Sequence, residues 1–260
     1  MKLSEKVSKK LSDLYHTHVS PALAGSKGRR VECPFCGWQG PEFMPNGLER
    51  RRNSRCPKCD SLERHRLYYL YLQQVIPASN RTMRVLHFAP EKILTRLFRS
   101  YPNVDYLSAD LNPAKAMVKQ DITETTFEDN SFDIIFCAHV LEHIPDDAKA
   151  MRELRRILKP DGFAVLQVPI KDHFNGRDIT TTYEDFSITD PAGREKAFGQ
   201  FDHVRMYGRD FKDRLEKAGF TVRVDKFLDT LKPEDVQRYA LIPQDPTVTE
   251  TEGWIYYCKK

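Results

Sequence analysis

Four cysteines are the first residues whose types and spacing could do chemistry. Cys33-Pro34-Phe35-Cys36-Gly37 and Cys56-Pro57-Lys58-Cys59 are two C-x2-C knuckles, with 19 residues between the inner cysteines. Each knuckle is a short turn that presents two thiolates to one ion. Together Cys33, Cys36, Cys56 and Cys59 complete a tetrahedral shell suited to zinc. A complete shell leaves no open position for a water, so the ion expected here supports the folding of a zinc ribbon. In a reducing compartment such pairs rarely close as disulfides. The remaining cysteines, Cys137 and Cys258, sit in apolar runs and read as core thiols.

Histidines are the second group. His139, Glu142 and His143 follow the apolar run Phe132–Ala138. A histidine near neutral pKa suits removal of a proton from a hydroxyl or amine. His143 and His139 are the first candidates for that role, and His203 the next. His203 belongs to a long stretch, residues 170–205, that carries Tyr183, Phe186, Phe198 and Phe201. It is too aromatic for a linker, and its length predicts a lid. His173, Tyr183, Arg205 and Tyr207 are the residues expected to face an acceptor. The plainer alternative is a buried Arg-Asp pair that pins the lid.

The elements that must position these groups are legible. Phe132–Ala138 has strand length and no alternation, which predicts burial on both faces. Pro145-Asp146-Asp147 starts a helix, with acids at the positive end of its dipole. Met151, Leu154, Ile157 and Leu158 recur at helical spacing, Lys159-Pro160-Asp161-Gly162 turns the chain, and Phe163–Val168 is a second buried strand. Two buried strands joined by a helix make a right-handed parallel crossover, and ligands bind past the carboxyl ends of such strands. Upstream, strand Arg84–Ala89, helix Glu91–Ser100, strand Val104–Asp110 and short strand Met117–Asp121 are expected. Downstream come a helix from Tyr207 to about Lys217, strand Thr221–Phe227, short helix Pro233–Tyr239 and strand Gly253–Cys258. In front, residues 2–19 place Leu3, Val7, Leu11 and Leu14 on one side of a helix, and a helix from Ser61 to Ile76 follows the knuckles. Its Glu63, Arg64, His65 and Arg66 either line a ligand mouth or merely link the parts.

Composition sets outer bounds. A chain of 260 residues with 30% charged residues and a mean hydropathy of −0.58 reads as a soluble protein. Its apolar runs fall short of the ~20 residues of a membrane span. The start, MKLSEKVSKKLSDLY, has no apolar core of signal type, so a cytoplasmic location and no membrane partner are expected. Residues 1–80 hold 14 Lys and Arg against 7 Asp and Glu, a basic front that could meet a polyanion such as nucleic acid. The expected organisation is a basic helix over 1–30, a zinc ribbon over 31–60, a linking helix over 61–80 and a large domain over 81–260.

The strings FDIIFCAHVLEHIPD and RELRRILKPDGFAVLQVP resemble the fourth and fifth strands of class I S-adenosylmethionine-dependent methyltransferases of the type 11-like group. The resemblance implies an α/β Rossmann-like sheet of seven strands, mostly parallel with the last antiparallel, over residues 81–260. It implies S-adenosylmethionine as cofactor. Asp110 would accept hydrogen bonds from the ribose hydroxyls, with Leu111 beside it. Asp121 would receive the adenine amino group, and Ile122 would pack on the ring. His139 would belong to the cofactor loop. The family also expects an acid and a glycine-rich turn after the first strand. Here the turn reads His87-Phe88-Ala89-Pro90-Glu91. Ala89 would stand in for the first glycine, and Glu91 or His87 for the acid.

The string FGQFDHVRMYG is similar to the lid of zinc-ribbon-containing bacterial methyltransferases. O- or N-methylation of a small molecule or saccharide is the leading expectation, since the sequence carries neither an aromatic-rich nucleic-acid motif nor an Asn/Asp-Pro-Pro-aromatic amino-methylation motif. An RNA methyltransferase gripping phosphates with its basic front, and a non-catalytic interaction protein, are the alternatives.

Overall fold

The computed structural model describes residues 30–47, 51–76, 81–242 and 250–260. The basic helix expected over 1–30 lies outside them, apart from Arg30. The chain forms two compact units: residues 1–77 with 227–248, and residues 78–226 with 249–260. Residues 227–242, expected inside the large domain, group with the first unit.

In the first unit, β1 (Val31–Glu32) pairs with β2 (Gln39–Gly40), and β3 (Met44–Asn46) with β4 (Arg51–Arg55). Two-residue ladders cannot bury a core of their own, so this unit depends on other ties. Val31, Cys33, Trp38, Phe43, Cys56 and Ala240 cluster together. Helix α1 (Glu63–Val75) follows the second knuckle. Its Arg66 is fully buried, with the guanidinium 4.1 Å over the Phe43 ring. It donates to the carbonyls of Ser54, Ser61, Tyr239 and Ala240. Arg66 is therefore a strut inside this unit and lines no ligand mouth.

The second unit is a seven-stranded α/β sheet. Its strands are β5 (Met83–Phe88), β6 (Val104–Asp110), β7 (Val118–Lys119), β8 (Phe132–Ala138), β9 (Leu158–Gln167), β14 (Thr221–Lys226) and β15 (Trp254–Lys259). The order across the sheet is β14-β15-β9-β8-β5-β6-β7, and β15 alone runs antiparallel to its neighbours. This is the expected Rossmann-like arrangement. Central β8 is buried at all seven positions; six are apolar, and the Asp133 carboxylate accepts from the Arg84 amide and Lys159 Nζ.

Helix α2 (Lys92–Ser100) buries Ile93, Leu94, Leu97 and Phe98. Helix α3 (Asp147–Ile157) buries Ala150, Met151, Leu154 and Ile157. The Asp146 carboxylate caps α3 by accepting from the Lys149 amide at 2.8 Å.

Two elements differ from expectation. The turn Lys159–Gly162 is an irregular start to β9: the register jumps from Phe132↔Leu158 to Ile134↔Phe163. A Cβ at Gly162 would lie 2.6 Å from the Asp133 carbonyl, so the bulge closes against β8 only with glycine there. The third strand shrinks to Val118–Lys119.

The segment after β9 is structured. It holds hairpin β10 (His173–Phe174) with β11 (Arg177–Asp178), strand β12 (Tyr183–Glu184) paired with β13 (Arg205–Met206), and α4 (Pro191–Phe198). Ile179, Phe198 and Met206 form its own small core. Helix α5 (Phe211–Lys217) leads on to β14.

Candidate functional site

Parallel strands deliver their carboxyl ends to one rim, and four of the candidate loops start there. Ala89 follows β5 and donates its amide to the Ala109 carbonyl at 2.9 Å. Asp110 ends β6, and the Gln120 amide donates to its carbonyl at 3.1 Å, which brings Asp121 and Ile122 alongside. His139 follows β8, its amide held by the Gln167 carbonyl at 2.9 Å.

The glycine-free turn takes the conformation a glycine would. Ala89 has φ +48°, in the left-handed region. Glu91 is the N-cap residue of α2. Asp110 Oδ1 accepts from the Asn112 amide at 2.7 Å, and a carboxylate has capacity for further donors. Leu111 is 63% exposed beside it. Asp121 accepts from the Thr123 amide and hydroxyl, both at 2.8 Å, and these bonds lower its pKa. Ile122 is buried in the main core. This rim suits the cofactor that the resemblance implies. It offers an acid at the end of β6, apolar side chains next to it, and a left-handed turn between them and His139.

His87 is a correction. It is 1% exposed, lies between Phe98 and Phe136, and its Nδ1 is 3.1 Å from the Tyr106 hydroxyl. Its imidazole packs in the aromatic layer among α2, β6 and β8, so it cannot replace an acid at the rim.

Two of the expected acceptor residues are also corrected. Arg205 is 1% exposed. It donates to the carbonyls of Leu141, Ile144 and Pro145 and to the Glu184 carboxylate at 2.8 Å. Tyr207 donates to Asp147 at 2.6 Å, and burial together with Asp147 pushes its pKa up. Asp147 also takes a two-pronged contact from Arg214. These groups pin the insertion to the loop after β8. His173 is exposed in the β10–β11 hairpin. Tyr183 lies under the Arg177 guanidinium and against Phe198, beside a cavity of about 530 Å³ that Ile188 and Lys196 also line.

The three candidate bases meet around a carboxylate that sequence reasoning named but gave no role. His139, at φ +57°, places Nδ1 3.6 Å from Glu142 Oε1. His143 and His203 meet edge to face, ring centroids 4.7 Å apart. Burial pushes the His203 pKa down, which favours its neutral form. The Val204 amide donates to the Glu142 carbonyl at 3.0 Å and ties the insertion to this loop. The spacing of His139, Glu142 and His143 hinted at this cluster; nothing in the sequence pointed to the approach of His203.

The four cysteine sulfurs gather within 4.8 Å of one another, and none forms a disulfide. Cys33 and Cys59 are 3.5 Å apart, Cys36 and Cys56 3.7 Å. Zinc–sulfur bonds of about 2.3 Å give tetrahedral edges of about 3.8 Å, so the donor set fits such an ion. Both knuckles close alike: the Gly37 amide donates to the Cys33 carbonyl and the Asp60 amide to the Cys56 carbonyl, each amide on a residue with positive φ. Crowding splits the thiols. Hydrogen bonds from Cys36, Cys56 and Cys59 drive the Cys33 pKa down, while its thiolate drives Cys56 up. A divalent cation resolves that conflict by taking all four as thiolates.

Residues 83–166 match the family described as a methyltransferase domain. An uncharacterized protein of Methanocaldococcus jannaschii, MJ0638, is 36% identical over 141 residues, which are 51% of this chain and 61% of that protein. The chain spans less than two thirds of the length of the first curated relatives it matches. Among solved structures, an S-adenosylmethionine-dependent methyltransferase from Mesorhizobium loti superposes with TM-score 0.50 at 15% identity, covering 75% of this chain and 98% of that one. The cyclase SpnF superposes with TM-score 0.51 at 14% identity, covering 96% and 94%. One fold thus carries different reaction names, and the site must decide the chemistry. No helix among the described residues is long and apolar enough to cross a membrane. The second unit has the Rossmann-like methyltransferase fold, and its residues 83–166 are similar in sequence to the methyltransferase-domain family.

Proposed function

We propose that this chain is an S-adenosylmethionine-dependent methyltransferase acting on an oxygen or nitrogen of a small molecule or saccharide, with a structural zinc ion held by Cys33, Cys36, Cys56 and Cys59. The observation that carries the reading is the shared rim. Ala89, Asp110, Asp121 and His139 stand at the carboxyl ends of four adjacent parallel strands. Asp110 and Leu111 would take the nucleoside, and the turn at Ala89 would approach its amino-acid tail. The bound cofactor supplies an electrophilic methyl group on a sulfonium, whose leaving group is neutral. The protein's share is therefore largely alignment and removal of the acceptor's proton.

Titration of S-adenosylhomocysteine by calorimetry tests the reading. Binding by the parent protein is expected, with about 10–100-fold weaker binding by Asp110→Asn at an unchanged melting temperature, the loss of one or two hydrogen bonds to a charged group. Absence of any binding would leave a non-catalytic sheet, the interaction-protein alternative. The RNA alternative would show as salt-dependent RNA binding lost on reversing the charges of residues 1–80.

A further inference from the structure

Glu142 is 2% exposed, and its Oε2 makes no hydrogen bond. Among the described residues no lysine or arginine pairs with it; its ion-pair contact is His139. A buried carboxylate without a compensating charge is strongly disfavoured, and such groups are paired or bind a metal. Its surroundings are built for the second outcome. His143 donates Nδ1–H to the Asp202 carbonyl at 3.3 Å, and the Asp202 carboxylate lies 3.4 Å from the same nitrogen. His203 donates Nδ1–H to the Phe198 carbonyl at 3.2 Å. A carbonyl can only accept, so each imidazole keeps its lone pair on Nε2. Metal-ligating histidines are oriented in this way. One ligand atom from each of Glu142, His143 and His203 lies within 4.8 Å of the others.

We propose that Glu142, His143 and His203 form a second metal site, for a divalent ion of the zinc, manganese or cobalt class, and that its open position takes a hydroxyl of the methyl acceptor. Two imidazoles and one carboxylate are the donors of such ions, whereas magnesium and calcium prefer all-oxygen shells. Three protein ligands leave a position for an exchangeable oxygen, in contrast to the closed cysteine shell. The acceptor role rests on the methyl-transfer reading above and narrows it to oxygen. The ion lowers the pKa of the hydroxyl it binds, and the proton is released to water. The oxygen lone pair then forms the O–C bond while the C–S bond breaks. That bond's electron pair stays on sulfur, which leaves as a neutral thioether, and the product is a methyl ether.

The test uses the full chain with its ribbon loaded with zinc. Manganese(II), which thiolates hold poorly, is titrated by calorimetry. One equivalent should bind the parent protein. Binding should weaken by more than about 100-fold in Glu142→Gln and in half-exposed His143→Asn, since loss of a mere supporting group already costs about 10–100-fold. Circular dichroism checks that both variants are folded, and S-adenosylhomocysteine should still bind them. No manganese or second zinc equivalent in the folded parent would overturn the site, as would unchanged affinity in both variants. Manganese binding without S-adenosylhomocysteine binding would uphold the site and overturn its role in methyl transfer.

Discussion

Two clusters in this molecule can hold a cation, and they are made in opposite ways. The cysteine cluster is local. Each half is a four-residue turn closed by its own backbone hydrogen bond. The cluster of Glu142, His143 and His203 is assembled. Glu142 and His143 come from a single short turn after β8, whereas His203 arrives 60 residues later from the insertion. A buried arginine holds that assembly: Arg205 donates to the carbonyls of Leu141 and Ile144, on either side of Glu142 and His143. Under the zinc reading proposed above, the first cluster would need its ion in order to fold. The second is positioned by the fold whether or not an ion is bound. A closed shell made of turns suits structure, and an open one on a packed scaffold suits chemistry.

The most severe test of this contrast is Cys56→Ser. Structural zinc binds with about 10–16 kcal/mol at neutral pH, more than a small unit's whole stability. Loss of one zinc equivalent and of the near-ultraviolet signal of Trp38 is expected. If that signal survives, the first unit folds without its ion and the contrast weakens. Next in size is Arg205→Ala. It removes the arginine donor from the carbonyls of Leu141, Ile144 and Pro145, while Leu141 keeps the Tyr207 hydroxyl and Glu184 keeps Arg214. Losing a buried charged donor to several carbonyls costs about 3 kcal/mol or more, to be read from urea unfolding. A cost near zero would mean that the rim cluster is not held by this arginine.

A third variant probes a charged group away from both clusters. Glu153 is bound by Arg156 and by the Thr125 amide and hydroxyl, and the Arg156 bond chiefly lowers its pKa below the ordinary 4.5. A carboxylate with a depressed folded pKa adds stability above its unfolded pKa and loses it as pH falls through the folded one. Thermal stability should therefore fall as pH drops below about 4.5. Glu153→Gln should lower stability at pH 7 by about 1–2 kcal/mol and flatten that acid limb. An unchanged limb would assign acid sensitivity to other carboxylates. The smallest effect is expected at the rim's other end. Ala89→Gly relieves a left-handed alanine, about 1–2 kcal/mol, against the entropy of glycine, about 0.5–1. The balance is a rise in melting temperature of about 1–3 °C. A fall would mean that the Ala89 methyl packs usefully in the turn.

Much was legible in the residues alone. A largely apolar run without alternation announced β8, helical spacing announced α3, and Cys-x2-Cys turns announced the cysteine cluster. Asp110 was singled out because the resemblance expects an acid at the end of the second strand, and the structure puts it at the end of β6. The errors share a cause. His87 sits in a strand buried on both faces, where no alternation tells rim from core. Arg205 and Tyr207 looked like acceptor residues because polar side chains in a long loop are expected to face solvent. Their partners are backbone carbonyls and Asp147, some 60 residues away, and no sequence pattern marks a carbonyl as unsatisfied.

Short-range information thus settled most of the succession of helices and strands and the cysteine turns, since each depends on periodicity or on chemistry a few residues apart, while the seven-stranded sheet was expected from the resemblance. Only the tertiary structure decided which histidines meet, which arginines are buried, and that Glu142 has no lysine or arginine partner among the described residues. Those outcomes depend on how the insertion folds back over the rim, and hydrogen-bonding demand at such distances is set by packing rather than by neighbours in the chain.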